Sequence, residues 1–210
     1  MPEFLNENPP GATALAHLLL AHGAGAPMTS PFLAKMTNLL VERGLRVSRF
    51  EFGYMAARRQ GARRPPPKAE RLMDEYRAAA AAVPAGATLI VGGKSMGGRV
   101  ASLVADELYA AGRIAGLACL GYPFHPPKKP EQLRTAHLTA LACPALIVQG
   151  ERDPFGGRAE VEGYGLSPAI RLHWASDGDH DLGPRGASGF TRKGNLAAAA
   201  DAIAAFAQGA

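Results

Sequence analysis

The residues Gly93-Lys94-Ser95-Met96-Gly97 set a serine between two glycines, directly after the apolar run 88–92 and directly before a helical pattern. Gly-x-Ser-x-Gly in a strand–turn–helix context is the pattern of a nucleophile elbow. A sharp turn holds the serine at strained dihedrals, so the residues two before and two after it must lack side chains. Gly98 and Ala101 let the following helix pack close behind. The chemistry predicted is attack of the Ser95 hydroxyl on a carbonyl carbon. Gly93-Lys94-Ser95 also matches the end of a phosphate-binding P-loop. That motif requires a further glycine where this chain has Thr88, within a stretch that reads as strand rather than loop, so the elbow is preferred.

A serine nucleophile needs a base and an acid that orients the base. Asp153 follows the apolar run Ala145-Leu-Ile-Val, within Gly150-Glu-Arg-Asp-Pro-Phe-Gly156, where a loop leaves the C-terminal end of a strand. A turn aspartate before proline is the plain alternative, and Glu151 is the nearest substitute. His180 lies in Ser176-Asp-Gly-Asp-His-Asp-Leu182, again a polar loop beyond a strand. The chain order nucleophile, acid, histidine is that of one triad arrangement. Of the other histidines, His17 and His173 fall within strands and His137 in a helical stretch. His22 and His125 lie in candidate site loops but in the wrong order for the base. The backbone N–H groups of Met96 and of Ala24, in the small loop His22-Gly23-Ala24-Gly25-Ala26, are the expected oxyanion donors, with Gly25 the substitute for Ala24.

The elements that must hold these groups alternate. Apolar runs at 14–21, 46–52, 88–92, 114–121, Ala145–Gly150 and Ile170–Ala175 read as buried strands bounded by Gly or Pro. Between them Ser30-Pro31 marks a helix start and Gly44 a stop, with Phe32, Met36, Leu39 and Leu40 on one face. Leu72, Met73, Tyr76, Ala80 and Val83 mark a second helix, closed by Pro84. Val100, Leu103, Val104, Leu108 and Ala111 mark a third, and Leu196, Ala200, Ile203 and Phe206 the last. Strand and helix in repetition predict an α/β fold with right-handed crossovers, spanning residues 1–210 as one domain.

The length of 210 residues allows a sizeable core, and the 47% hydrophobic and 20% charged fractions are those of an ordinary globular protein. Cys119 and Cys143 sit in apolar segments with no disulfide or zinc spacing, which predicts buried free thiols. The stretch 12–21 has the length of a signal-peptide core but lacks a positive flank and is interrupted by His17. No run approaches the ~18 apolar residues of a membrane span. A cytoplasmic protein without membrane attachment is expected. The net charge is +5, and residues 43–77 alone carry ten Lys or Arg against four Asp or Glu. Within them, residues 58–68 hold Arg58, Arg59, Arg63, Arg64 and Lys68 around three prolines. No aromatic residue interleaves there for base stacking, so a solvated loop is expected, with contact to an anionic ligand as the alternative and nucleic-acid binding disfavoured.

These segments together resemble the α/β-hydrolase superfamily, in particular its small members akin to dienelactone hydrolases. The likeness rests on the His-Gly-Ala-Gly loop, Gly-Gly-Lys-Ser-Met-Gly-Gly-Arg, Gly-Glu-Arg-Asp-Pro-Phe-Gly and Gly-Asp-His-Asp, spread over residues 22–181. The lysine before the nucleophile is similar to a compact group of hydrolases related to a chromatin-complex subunit. The resemblance implies a minimal, mostly parallel sheet of about six strands with helices on both faces. The family topology is then expected to place the 46–52 strand at one edge. With about a dozen residues before the first strand the opening antiparallel hairpin is expected to be missing, and with only residues 122–144 between two neighbouring strands no cap domain is expected.

The function expected is a serine hydrolase that cleaves an ester or thioester of a small acyl substrate through an acyl-enzyme, with Ser95, Asp153 and His180 as triad, Met96 and Ala24 as oxyanion donors, and no cofactor or metal. The alternative is a catalytically weak interaction module of the same fold that uses the basic loop as its contact. Phe155, Tyr122, Phe124, Met28 and Phe190 lie in loops near the expected pocket and read equally well as packing, so they are left outside the site. Lys94 reads as a solvated side chain, or else as a guide for an anionic acyl group.

Overall fold

Period-2 alternation in the apolar runs decides which face each side chain enters. In β2 (His17–Ala21) Leu19 and Ala21 join the core on one side of the sheet, and Leu18 and Leu20 the core on the other. Leu89 and Val91 against Ile90 repeat the division in β4 (Leu89–Lys94). Both faces are buried, so these strands read as continuous apolar runs.

The computed structural model describes residues 3–11, 14–63 and 65–210. Its sheet has seven strands: β1 (Phe4–Glu7), β2, β3 (Arg46–Phe50), β4, β5 (Gly116–Leu120), β6 (Ala145–Gly150) and β7 (Ile170–Ala175), in the order β1-β3-β2-β4-β5-β6-β7. All neighbours are parallel except β1, which runs antiparallel to β3. Helices α1 (Pro31–Val41) and α6 (Arg192–Gln208) cover one face through Phe32, Met36, Leu40, Leu196 and Ile203. Helices α3 (Met73–Ala82) and α4 (Met96–Ala110) cover the other through Tyr76, Ala80, Val100 and Val104. The expected start of α1 is present: the Ser30 hydroxyl accepts the Leu33 N–H at 3.4 Å, with Pro31 in the first turn.

The sheet corrects the six-strand expectation. Residues 3–11 supply a seventh strand, so β3 is internal rather than at the edge. Four residues flanked by prolines gave no readable periodicity. The pairing is made by tertiary partners instead: Phe4 lies edge-on to Phe50, Asn6 accepts from the Ser48 hydroxyl at 2.5 Å, and Glu7 pairs with Arg49. Ser48 and Arg49 are thereby buried polar groups with partners, as an internal strand requires.

Smaller differences follow from turn geometry. The 14–21 run forms strand only from His17, and the signal-like stretch 12–21 begins with two residues outside the described set. The 46–52 run ends at Phe50 because residues 51–52 turn into helix α2 (Gly53–Arg59), which holds the first two arginines of the basic stretch. His137 lies in a turn, not a helix. The four-residue helix α5 (Arg158–Val161) is too short to show a period. Residues 121–144, where a cap would sit, form turns that bury Tyr122, Phe124, Leu138 and Leu141 against the core, so there is no separate cap domain. Both cysteines are buried and free. Among the described residues no helix is long and apolar enough to cross a membrane.

Candidate active site

The chain runs from β2 outward to β3 and then returns to β4 on the other side of β2. The loops after β2 and β4 therefore diverge at this reversal of strand order, which opens a crevice at the C-terminal ends of the strands. Ser95 follows β4 there, with φ 53° and ψ −117°, a region costing about 1–3 kcal/mol for a residue with a side chain. The flanking glycines make the turn possible. A Cβ on Gly93 would stand 2.5 Å from the Ala21 carbonyl oxygen, and one on Gly97 2.4 Å from the same atom. Deeper in the strand, the buried Tyr76 hydroxyl accepts the Gly92 N–H at 2.8 Å, so a side chain of α3 completes the hydrogen bonding just below the elbow.

Asp153 and His180, 27 residues apart in sequence, meet across the ends of β6 and β7: His180 Nδ1 lies 2.8 Å from Asp153 Oδ2. The Asp153 carboxylate is fully enclosed and each oxygen is occupied. Oδ1 accepts the Phe155 N–H at 2.9 Å, and Oδ2 also accepts from Gln149 Nε2 at 3.0 Å. Gln149 is itself locked, since its Oε1 accepts the Tyr122 N–H at 2.7 Å and its Nε2 donates to the Tyr122 and Gly156 carbonyls. An acceptor-only carboxylate draws the imidazole proton to Nδ1 and leaves Nε2 free to accept. Ser95 and His180 line one cavity of about 520 Å³. Glu151 is no substitute for Asp153: it accepts the Asp177 N–H at 2.8 Å and pairs with Arg158 at 3.0 Å.

The loop 22–26 is held from below. His22 is buried; its Nε2 accepts the Phe52 N–H at 3.1 Å, which makes Nδ1 the protonated nitrogen that donates to the Gly23 carbonyl at 2.7 Å. Burial pulls its pKa down, against the pull of that carbonyl, and keeps the ring neutral. The Tyr54 hydroxyl donates to the Ala24 carbonyl at 3.1 Å. Gly23 lies against Ser95: a Cβ there would be 3.7 Å from the Ser95 Cβ. Among the described residues neither the Ala24 nor the Met96 N–H has an acceptor, and Met96 opens the 15-residue helix α4. Two unengaged amides beside Ser95, one at a helix N-terminus, suit a developing oxyanion.

Another serine–histidine contact, Ser102 Oγ to His137 Nε2 at 2.8 Å, does not make a nucleophile. Ser102 is buried inside α4 and its hydroxyl donates to the Arg99 carbonyl at 2.7 Å, so it accepts from His137 and has no access to substrate. Burial, then Arg99, lowers the His137 pKa to about 4. His17 is likewise internal, bonded to Ser48 at 2.7 Å.

Two residues left outside the site by sequence reasoning belong to it. The Phe155 ring lies 4.4 Å from the His180 ring, centroid to centroid, and borders both cavities that contain Ser95. Lys94 is not solvated. It is 6% exposed, its ammonium donates to the His180 carbonyl at 2.8 Å, pairs with Asp181 at 3.3 Å and sits 5.2 Å from the Phe32 ring centre. Burial lowers its pKa, and Asp181 is the main opposing influence. Lys94 thus ties the turn beside Ser95 to the loop that carries His180. Its position next to Ser95 was the only available signal. Of the remaining loop residues, Tyr122 and Phe124 are core, Met28 is buried, and Phe190 is exposed.

Lys94→Met is expected to lower kcat about tenfold or more with little change in KM, because His180 loses a fixed point while the cavity keeps its shape. Parallel kinetics and thermal unfolding check this. A variant with wild-type kcat but a lower melting temperature would make Lys94 purely structural.

A family model described as an alpha/beta hydrolase domain matches residues 14–208. The chain belongs to the alpha/beta hydrolase family. Solved structures with the same fold include an alpha-beta serine hydrolase homologue from Coxiella burnetii, 18% identical with a TM-score of 0.72, covering 99% of this chain and 90% of that one. A dienelactone hydrolase from Anabaena variabilis is 20% identical with a TM-score of 0.72, covering 98% and 90%. The esterase domain of a Rhodothermus marinus protein is 16% identical with a TM-score of 0.66, covering 99% and 98%. At these identities the hydrolase fold is what is shared.

Proposed function

We propose that the protein is a serine hydrolase that cleaves an ester or thioester through an acyl-enzyme. Ser95 Oγ attacks the carbonyl carbon while His180 Nε2 takes its proton, and the Met96 and Ala24 amides receive the negative oxygen. Asp153 holds the imidazole in the accepting tautomer and stabilises the imidazolium. The carbonyl carbon's bond to the leaving oxygen or sulfur then breaks, and His180 passes its proton to that atom. Water, deprotonated by His180, cleaves the Ser95 ester and restores the enzyme. None of these steps calls for a metal or an organic cofactor.

The observation that carries the reading is His180, held by an enclosed Asp153, bordering the same cavity as a strained, partly exposed Ser95. The interaction-module alternative gives no reason for a His180 bonded to a buried aspartate to border the cavity that holds Ser95. A fluorophosphonate probe is expected to label the wild-type protein and not Ser95→Ala, with the adduct mapped to Ser95 by peptide mass spectrometry. Equal labelling of both proteins would remove Ser95 from the chemistry.

A further inference from the structure

Two cavities meet at Ser95. One, of about 520 Å³, is bordered by His180, Phe32, Lys94 and Arg192; the other, of about 500 Å³, by Met96, Arg99, Arg134 and Lys68, without His180. If Ser95 and His180 act as proposed, the two sides are not equivalent. The proton His180 takes from Ser95 is delivered to the leaving atom, so the leaving group lies on the His180 side. The acyl chain then extends into the cavity without His180.

That cavity carries a surplus of positive charge. Lys68, Arg99 and Arg134 border it against one carboxylate, Glu70, which is already paired with Arg99. Arg134 has its main chain fixed, its N–H donating to the Phe124 carbonyl at 2.7 Å and its carbonyl accepting from the Tyr122 hydroxyl at 3.1 Å. Its half-buried guanidinium has no hydrogen-bond or ion-pair partner among the described residues. The buried Nε of Arg99 also lacks one. Burial and then the neighbouring Arg99 both disfavour the Arg134 charge, and Tyr122 and Glu70 only partly offset them. The unpartnered Arg134 guanidinium at the cavity wall stands ready for a planar anion, which a carboxylate supplies.

We infer that this cavity binds the anionic end of the acyl group, so that the preferred substrates are half-esters or half-thioesters of dicarboxylic acids. The inference rests on the hydrolase reading and deepens it. It also gives part of the basic stretch a use. Pro66, Pro67 and Lys68 form one wall of the cavity. Farther back, Arg59 is paired with Glu51, Arg58 lies over the Tyr54 ring, and Arg64 falls outside the described residues.

The test compares mono-p-nitrophenyl succinate, glutarate and adipate with uncharged p-nitrophenyl esters of equal chain length, background hydrolysis subtracted. At least one charged ester is expected to exceed its uncharged counterpart in kcat/KM by on the order of tenfold or more. Arg134→Gln should collapse that ratio, and raising salt should shrink it. Binding of free adipate and hexanoate to Ser95→Ala, followed by calorimetry, reads the same subsite without turnover, with adipate expected to bind more tightly. Hydrolysis of the uncharged esters with no charged preference, and no difference between the two acids, overturns the inference and leaves the hydrolase reading intact. Tighter adipate binding that Arg134→Gln abolishes, in a protein that hydrolyses none of the esters, supports the anion subsite and overturns the hydrolase reading.

Discussion

Asp153→Asn is expected to lower kcat by about 10⁴-fold while the protein stays folded. The amide cannot copy the carboxylate's bonding. Its oxygen is needed at the Oδ1 position to accept the Phe155 N–H, which places its NH₂ where Oδ2 faced Gln149 Nε2 and His180 Nδ1. Gln149 cannot rotate to help, because its own oxygen holds the Tyr122 N–H. The new NH₂ therefore presents a donor to a donor, and His180 answers by moving its proton to Nε2. That nitrogen then carries a hydrogen and cannot accept the Ser95 proton. Rotating the new amide instead leaves the buried Phe155 N–H opposite a donor. Steady-state kinetics with circular dichroism as a folding control check the prediction. A kcat within tenfold of wild type would mean that Asp153 does not set the imidazole tautomer.

Gly97→Ala is expected to destabilise the protein by about 3 kcal/mol or more and to lower kcat at least about 100-fold. Gly97 is helical, so alanine suits its own backbone. The obstacle is space: the added Cβ would stand 2.4 Å from the Ala21 oxygen and 2.6 Å from the His22 oxygen. Both atoms are main chain at the root of the 22–26 loop, so nothing flexible can yield. Either α4 retreats, carrying the Met96 amide with it, or the loop moves and takes the Ala24 amide. Gly186→Ala serves as the control, since a Cβ there meets nothing within 4 Å, and it should be neutral in both denaturant unfolding and turnover. If the two variants behave alike, the close approach of loop and helix has no bearing on the site.

The elements that carry Ser95 and His180 were legible for specific reasons. β4 and α4 announce themselves because a doubly buried strand is uniformly apolar and the helix after it is amphipathic, with glycines at the turn between them. β6 and β7 were legible over their full lengths. β1 was not, since four residues show no period and each pairs with a residue between 40 and 46 positions away. Lys94 was misjudged for a related reason: lysine is ordinarily exposed, and only the folded loops show Asp181 and the His180 carbonyl converging on its ammonium. Phe155 was ambiguous because a loop aromatic reads the same whether it packs in the core or against a catalytic ring.

By itself the amino-acid sequence determined the α/β class, the elbow and the chain order of serine, aspartate and histidine. Those features are local, set by side-chain periodicity and by where a backbone can turn. Tertiary structure alone decided that β3 is internal, that His180 meets the enclosed Asp153, that Lys94 anchors the His180 loop, and that two cavities share one serine. Each of these depends on distances between segments tens of residues apart, which the packing of both sheet faces sets and no local pattern encodes.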